Sequence, residues 1–213
     1  NQILTAGPSI SLSEIYNVND AIRYGWNNNW SNYILKFEKK FAKYIGVKHA
    51  LSTSSCTGAL QIALMSLDIK MGDEVIVPDL TWIASASAVK AVGAEPVFAD
   101  VELDSWTLDP NSIEKLISKK TKAIIVVHLY GHPADMTKIK RICKKHDLIL
   151  IEDCAEALGS KYKKKHVGNL GDASTFSFFA NKTVTTGEGG IVCFKNRNKM
   201  NKAKLLRDHG MST

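Results

Sequence analysis

An α/β fold, a three-layer sandwich with a mostly parallel central sheet between two layers of helices, is what this sequence predicts, and three observations carry it. Apolar strands alternate with amphipathic helices along most of the 213 residues. The runs Ile124 to Val127 and Leu148 to Ile151 are apolar on both faces, as strands buried inside a parallel sheet are. Several strands end in turns rich in Ser, Thr, Gly and acids, and such sheets gather ligands at those ends. Repeated strand–helix–strand units imply right-handed crossovers and helices on both faces of the sheet.

Taken in order, Ser31 is expected to cap a helix whose Phe37, Phe41 and Ile45 share one face, with Gly46 ending it. A short strand from His49 to Ser52 leads through a Ser/Thr/Cys/Gly turn to a helix from Ala59 to Leu67. The strand EVIVP, the helix Ile83 to Val92 and the strand EPVFADV follow. The helix Pro110 to Ser118 precedes the strongest strand, KAIIVVHLYG, and the helix Asp135 to His146 precedes LILIEDCAE. Beyond Tyr162 the strands shorten, around Ser174 to Phe178 and Ile191 to Phe194, and Gly-rich turns join them. A basic helix from Arg197 to His209 closes the chain, without internal repeats or linkers. The 213 residues read as one domain, 1–213, and as a fragment: there is no initiator Met and no closing element after DHGMST.

Composition is that of a globular protein, 45% hydrophobic and 23% charged. No apolar run reaches membrane-span length, and the N-terminus lacks a signal-peptide layout. Cys56, Cys143, Cys154 and Cys193 form no CxxC pair or zinc-like spacing, which fits a reducing, cytoplasmic setting. The net charge of +7 raises nucleic acid as a partner. Its lysines are dispersed over helices, however, and the dense run Lys161 to His166 reads as a solvated hairpin face. No zinc finger, RNP-type or recognition-helix pattern accompanies it.

Three strand ends carry chemistry. STSSCTGAL places small residues, Cys56 and Thr57 at a helix N-terminus, where free N–H groups and the helix dipole favour an anion, although a plain cap reads the same. It has neither P-loop nor GxGxxG spacing. LILIEDCAE delivers Glu152 and Asp153 to one strand end, and alternation turns them to opposite faces. Such an acid serves a ribose, a protonated ring nitrogen or plain solvent; a metal lacks a supporting His or Asp cluster. FSFFANKTVTTGEGG sets Lys182 between a strand and a Gly-rich turn, beside Phe176, Phe178, Phe179 and Ala180. A lysine there either snorkels or is desolvated and nucleophilic. A phosphate cradle, a ring-nitrogen acid and a nucleophilic lysine are together the parts a pyridoxal-phosphate (PLP) enzyme requires.

The blocks SSCTGAL, GDEVIVPDLTW, HLYGHPADM, IEDCAEALGS, GDASTFSFFANKTVTTGEGG and LLRDHGM resemble the sugar aminotransferases of the DegT/DnrJ/EryC1/StrS family, over essentially the whole chain. HLYGHP, IEDCAEALGSKY and FSFF-NKT-TTGEGG are most similar to its perosamine-type 4-aminotransferases. The resemblance implies the large domain of the fold-type I PLP-dependent transferases, with a small C-terminal domain beyond Thr213. Residue by residue, Lys182 matches the lysine that carries PLP as a Schiff base and shuttles protons. Asp153 matches the acid that pairs with the pyridinium nitrogen, and Trp82 the aromatic that stacks on the ring. Cys56 and Thr57 stand at the usual Gly-Thr phosphate pair, Ser177 matches a further phosphate ligand, and Glu156 stands where many members have Gln, near the ring hydroxyl or substrate. Cys56 for Gly is a departure, as is Phe179 where many relatives carry His or Tyr.

Also implied are glutamate as amino donor, a 4-keto-6-deoxyhexose on GDP or UDP as acceptor, and a homodimer with a shared site. Trp30 to Tyr33 are expected to supply part of the nucleotide and sugar contacts. The alternatives are a 3-keto nucleotide-sugar aminotransferase, a PLP dehydratase (relatives of that kind replace the lysine with His) and, from another class, a non-catalytic PLP-binding or assembly protein.

Overall fold

A computed structural model describes residues 9–211. The first helix of the described residues, α1 (Leu12–Tyr24), is not among the elements expected from the sequence. Ser11 and Glu14 form a reciprocal capping box at its start, yet none of its residues is buried. The amphipathic helix α2 (Asn32–Ile45) follows and ends at Gly46, which adopts φ 83 as expected of a left-handed cap. Ser31 stands at its start with helical backbone angles, and its side chain caps nothing.

Strand β1 (His49–Thr53) is followed by α3 (Cys56–Ser66), which begins three residues before the expected Ala59. Ser55 is its cap, its hydroxyl accepting from the Gly58 N–H at 3.1 Å. The next units are β2 (Glu74–Pro78), α4 (Ala84–Ala91), β3 (Glu95–Ala99), α5 (Pro110–Leu116) and β4 (Thr121–Val127). They are followed by α6 (Met136–His146) and β5 (Ile149–Asp153). Asp109 and Asp135 cap α5 and α6 through their carboxylates. The run at 161–166 is a hairpin of β6 (Lys161–Tyr162) and β7 (Lys165–His166). Its turn is made by Lys163 and Lys164, both at positive φ. Its lysines are exposed, but the hairpin is anchored, since the Tyr162 hydroxyl meets both Asp135 and Thr137. Strands β8 (Ala173–Ser177) and β9 (Gly190–Phe194) lead to α7 (Arg197–Arg207).

Seven strands form the main sheet, in the order β1-β9-β8-β5-β4-β2-β3. β9 pairs antiparallel with both β1 and β8, and the pairs β8–β5, β5–β4, β4–β2 and β2–β3 are parallel. Only β9 therefore runs against the rest. On one face Leu60, Ala63, Val89 and Ala203 of α3, α4 and α7 pack on Val77, Ile125, Ile151 and Val192. On the other, α5 and α6 cover Ile76, Ile124, Val126 and Leu150. There α2 also lays Phe41 against Phe176 and Phe178, with ring centroids 5.0 and 5.7 Å apart. This is the expected three-layer sandwich. Both faces of each central strand are covered, as in buried parallel sheets. Among the described residues no helix is long and apolar enough to cross a membrane.

Candidate active site

The carboxyl ends of β2, β4, β5 and β8, with the start of α3, enclose a cavity of about 540 Å³. Cys56, Thr57, Trp82, Asp153, Glu156, Ser177 and Lys182 all line it, so the residues expected around the cofactor meet in one place. Trp30 to Tyr33 do not line it; Trp30 is exposed and the Tyr33 hydroxyl hydrogen-bonds Asp20 on α1.

One end of the cavity is the N-terminus of α3. Ser55 caps the Gly58 amide, while the amides of Cys56 and Thr57 find no acceptor among the described residues, and both residues line the cavity. β9 comes very close to this turn: a Cβ on Gly190 would sit 2.4 Å from the Ser55 carbonyl carbon and 2.5 Å from the Cys56 nitrogen. The turn can lie against the sheet only because Gly190 has no side chain. Burial, reinforced by Asp153, pushes the Cys56 thiol well above its usual range, so it is a neutral thiol. Across from it, Ser177 closes β8, its hydroxyl accepting from the Phe179 N–H at 3.3 Å.

The cavity floor holds Asp153, which is 5% exposed. Its carboxylate accepts from the Ser85 hydroxyl at 2.8 Å and the Ala155 N–H at 3.1 Å. Two neutral donors leave acceptor capacity unused, and desolvation outweighs them and raises its pKa. Ser85 was not legible in the sequence; it is one of several small residues in TWIASAS, and only the packing of α4 on β5 brings it to the acid.

Glu152 points the other way, as alternation requires, and is wholly buried. Its Oε1 accepts from the Leu170 and Gly171 amides at 2.7 and 2.6 Å. Its Oε2 accepts from the Gly168 amide at 2.9 Å and lies 3.1 Å from His128 Nε2. His128 Nδ1 accepts from the Ala134 N–H at 3.2 Å, so Nε2 carries the proton and donates it to Glu152. Burial raises the Glu152 pKa, but the His128 and amide hydrogen bonds outweigh it and the net shift is downward. His128, Glu152 and Cys154 bring ligand-type atoms within 4.8 Å of one another. Since both carboxylate oxygens are already occupied, Glu152 is a clamp on the 168–171 loop.

Lys182 stands in the loop after β8, its side chain 21% exposed. The expected apolar company is corrected in part. Phe176 and Phe178 turn to the opposite face, into the α2 core, whereas Phe179, partly exposed, lines the cavity with Lys182. Lys182 faces Glu156 instead, with Nζ 3.5 Å from Oε1. Glu156 is steadied on its other oxygen by the Tyr130 N–H at 2.9 Å. Trp82, in the loop before α4, is 77% exposed and forms part of the cavity wall.

The cavity thus presents an anion-binding helix end, a buried carboxylate with acceptor capacity to spare and a primary amine beside a carboxylate. Comparison with known proteins agrees. The sequence profile of the DegT/DnrJ/EryC1/StrS aminotransferase family matches residues 8–213. The chain is 48% identical over 205 residues to the GDP-perosamine synthase of Escherichia coli O157:H7, across 96% of this chain and 56% of that protein. With the GDP-perosamine synthase of Caulobacter vibrioides it is 45% identical over 210 residues, across 99% and 57% respectively. The fold matches the aminotransferase of Psychrobacter cryohalolentis with a TM-score of 0.93 at 40% identity, over 98% of this chain and 53% of the other. Spr1654 of Streptococcus pneumoniae, assigned as a sugar aminotransferase and solved in apo, PMP and PLP forms, matches in its PLP form with a TM-score of 0.92 at 32% identity, over 100% of this chain and 59% of that one. The chain spans a little over half the length of these relatives.

Proposed function

The chain belongs to the DegT/DnrJ/EryC1/StrS aminotransferase family, and from that premise we propose that it is the cofactor-binding large domain of a PLP-dependent aminotransferase. Its reaction moves an amino group from glutamate to a 4-keto-6-deoxy sugar carried on a nucleotide, with GDP favoured by the relatives named as GDP-perosamine synthases. The observation that carries this reading is the meeting of Lys182, Asp153 and the α3 turn in one cavity.

The residues present fit PLP. The free amides of Cys56 and Thr57, the Thr57 hydroxyl and Ser177 suit a phosphate, and the Gly190 contact gives it a seat that a Cβ would destroy. The spare acceptor capacity of Asp153 suits a protonated ring nitrogen, whose positive charge would draw the raised carboxyl pKa back down. Trp82 offers its ring for stacking. When bound, the cofactor supplies the electron sink that lets an α-proton leave. The Lys182 amine then removes that proton from the donor's α-carbon and later returns one to the sugar carbon that receives nitrogen. Glu156 holds Lys182 at the reaction centre and Asp153 keeps its ionic partner charged. The low-dielectric floor strengthens both interactions.

By this reading the working protein is a cytoplasmic homodimer whose partner completes the site. A 3-keto nucleotide sugar is the alternative acceptor, and a non-catalytic PLP-binding protein is the alternative class. The test is PLP absorbance, then the glutamate half-reaction, then turnover with GDP- and UDP-linked 4-keto sugars. Cofactor binding without a glutamate half-reaction would favour the non-catalytic class; a half-reaction with no keto-sugar turnover would remove the acceptor assignment.

A further inference from the structure

Tyr130 occupies a place that folding alone does not explain. It lies in the short turn after β4 with φ 50 and ψ 28, a left-handed conformation that disfavours any residue with a Cβ and a bulky one most. Packing does not compensate, because Tyr130 is 78% exposed. Two hydrogen bonds nevertheless hold the kink in place. The Tyr130 N–H donates to Glu156, and the Ser160 hydroxyl donates to the carbonyl of Gly131 at 2.7 Å. A strained backbone clamped from two sides, presenting an unpacked aromatic residue, is a pattern that belongs to ligand sites.

The position says which ligand. Tyr130 lines the same cavity as Lys182. The carboxylate that receives its N–H on one oxygen faces the Lys182 amine on the other, at 3.5 Å. Tyr130 is therefore a single carboxylate away from the group that meets the reacting carbon. On the transaminase reading, from which this inference proceeds, the part of the acceptor at that point is the hexose ring, and the nucleotide extends away from it. A 6-deoxyhexose has an apolar face of ring C–H groups and a methyl group that an aromatic ring can cover, whereas glutamate offers only a short flexible chain. The other exposed aromatics on the cavity wall are Trp82, from the loop after β2, beside β4 in the sheet, which is assigned to the cofactor, and Phe179, three residues before Lys182.

We propose that Tyr130 is a specificity-determining residue for the acceptor, its ring packing on the hexose of the nucleotide-linked keto sugar while Glu156 and Ser160 set its angle. The experiment compares the wild-type holoenzyme with Tyr130→Phe, Tyr130→Ala and Tyr130→Gly. Three quantities are read: the thermal midpoint of the apoprotein, the rate of the glutamate half-reaction, and KM for a GDP-linked 4-keto-6-deoxyhexose. Glycine is at ease at φ 50, so Tyr130→Gly should keep or raise the thermal midpoint. Its glutamate half-reaction should stay within about twofold, while KM for the keto sugar rises about tenfold and Tyr130→Phe stays close to wild type. An unchanged keto-sugar KM in Tyr130→Gly overturns the assignment. So does a fall in midpoint accompanied by equal losses in both half-reactions, which would make Tyr130 a structural residue. A wild type that carries out the glutamate half-reaction but uses no nucleotide-linked sugar overturns the acceptor reading and this inference with it, and is recognised before any variant is compared.

Discussion

Two acids stand next to each other at the end of β5, both at most 5% exposed, and their surroundings could hardly differ more. Glu152 receives three amide N–H groups and the Nε2 proton of His128, and its pKa is lowered despite burial. Asp153 receives one hydroxyl and one amide, and burial wins, raising its pKa. A buried carboxylate whose acceptor sites are filled is part of the architecture. One left short of donors in a cavity keeps acceptor capacity for a ligand, at a cost to the fold. The satisfied acid ties down a loop on the α6 side of the sheet, and the unsatisfied one opens on the α3 and α4 side.

The largest effect should come from the amine that shares the cavity with Asp153. Lys182→Ala should lower the rate of the glutamate half-reaction by about 10⁴-fold, while the purified variant still binds PLP through the α3 turn and Asp153. A half-reaction near the wild-type rate, measured by absorbance in single turnover, would remove Lys182 from the proton transfer.

Substitutions at the two acids should then move stability in opposite directions. Glu152→Gln breaks a filled buried network and should cost about 3 kcal/mol in denaturant unfolding. Because the folded pKa of Glu152 is lowered, its contribution is present above its unfolded value of about 4.3 and is lost as pH falls through the folded one. Wild type should thus lose stability at acid pH more steeply than Glu152→Gln. Equal slopes would mean that the network contributes little.

Asp153→Asn should lower turnover by about 100-fold, yet raise the stability of the apoprotein at pH 7 by roughly 1 kcal/mol. The sign follows from its raised folded pKa. The ionised form costs stability at neutral pH, and the cost disappears once the carboxyl is protonated in both folded and unfolded states. The advantage of the variant should therefore fade below about pH 4. A loss of apoprotein stability in Asp153→Asn would place both acids in the architecture and erase the contrast.

The smallest effect is at the cavity wall. Trp82→Ala should weaken PLP binding by about 1 kcal/mol, the size of one aromatic stacking contact, with little change in thermal midpoint because the side chain packs on little else. An unchanged PLP dissociation constant would detach Trp82 from the cofactor.

Much of this was decided by local pattern. The runs IIVV and LILI specified buried parallel strands, the turn chemistry of Gly46 and Asp135 set helix ends, and alternation alone separated Glu152 from Asp153. Cys56, Thr57, Asp153 and Lys182 could be singled out because they sit at strand ends, where the fold class places ligands, whereas Trp82, Glu156 and Ser177 were named only through the family resemblance. What sequence could not decide depends on which surfaces meet. Ser85 becomes a partner of Asp153 only when α4 packs on β5. Lys182 was given phenylalanine neighbours because they are close in sequence, but pleating sends Phe176 and Phe178 to the far face and leaves Glu156, 26 residues away in sequence, beside the amine. The helix α1 carries local signals of its own, the Ser11 and Glu14 capping box and Leu12, Ile15, Val18 and Ile22 at helical spacing, but none of its residues is buried. The strain at Tyr130 is invisible in the motif HLYG, since a tyrosine's backbone angle is imposed by the two hydrogen bonds that distant residues make to its turn. Periodicity and turn chemistry act between neighbours along the chain, whereas the donors around a carboxylate and the clamps on a strained turn arrive from elsewhere, once the layers have closed.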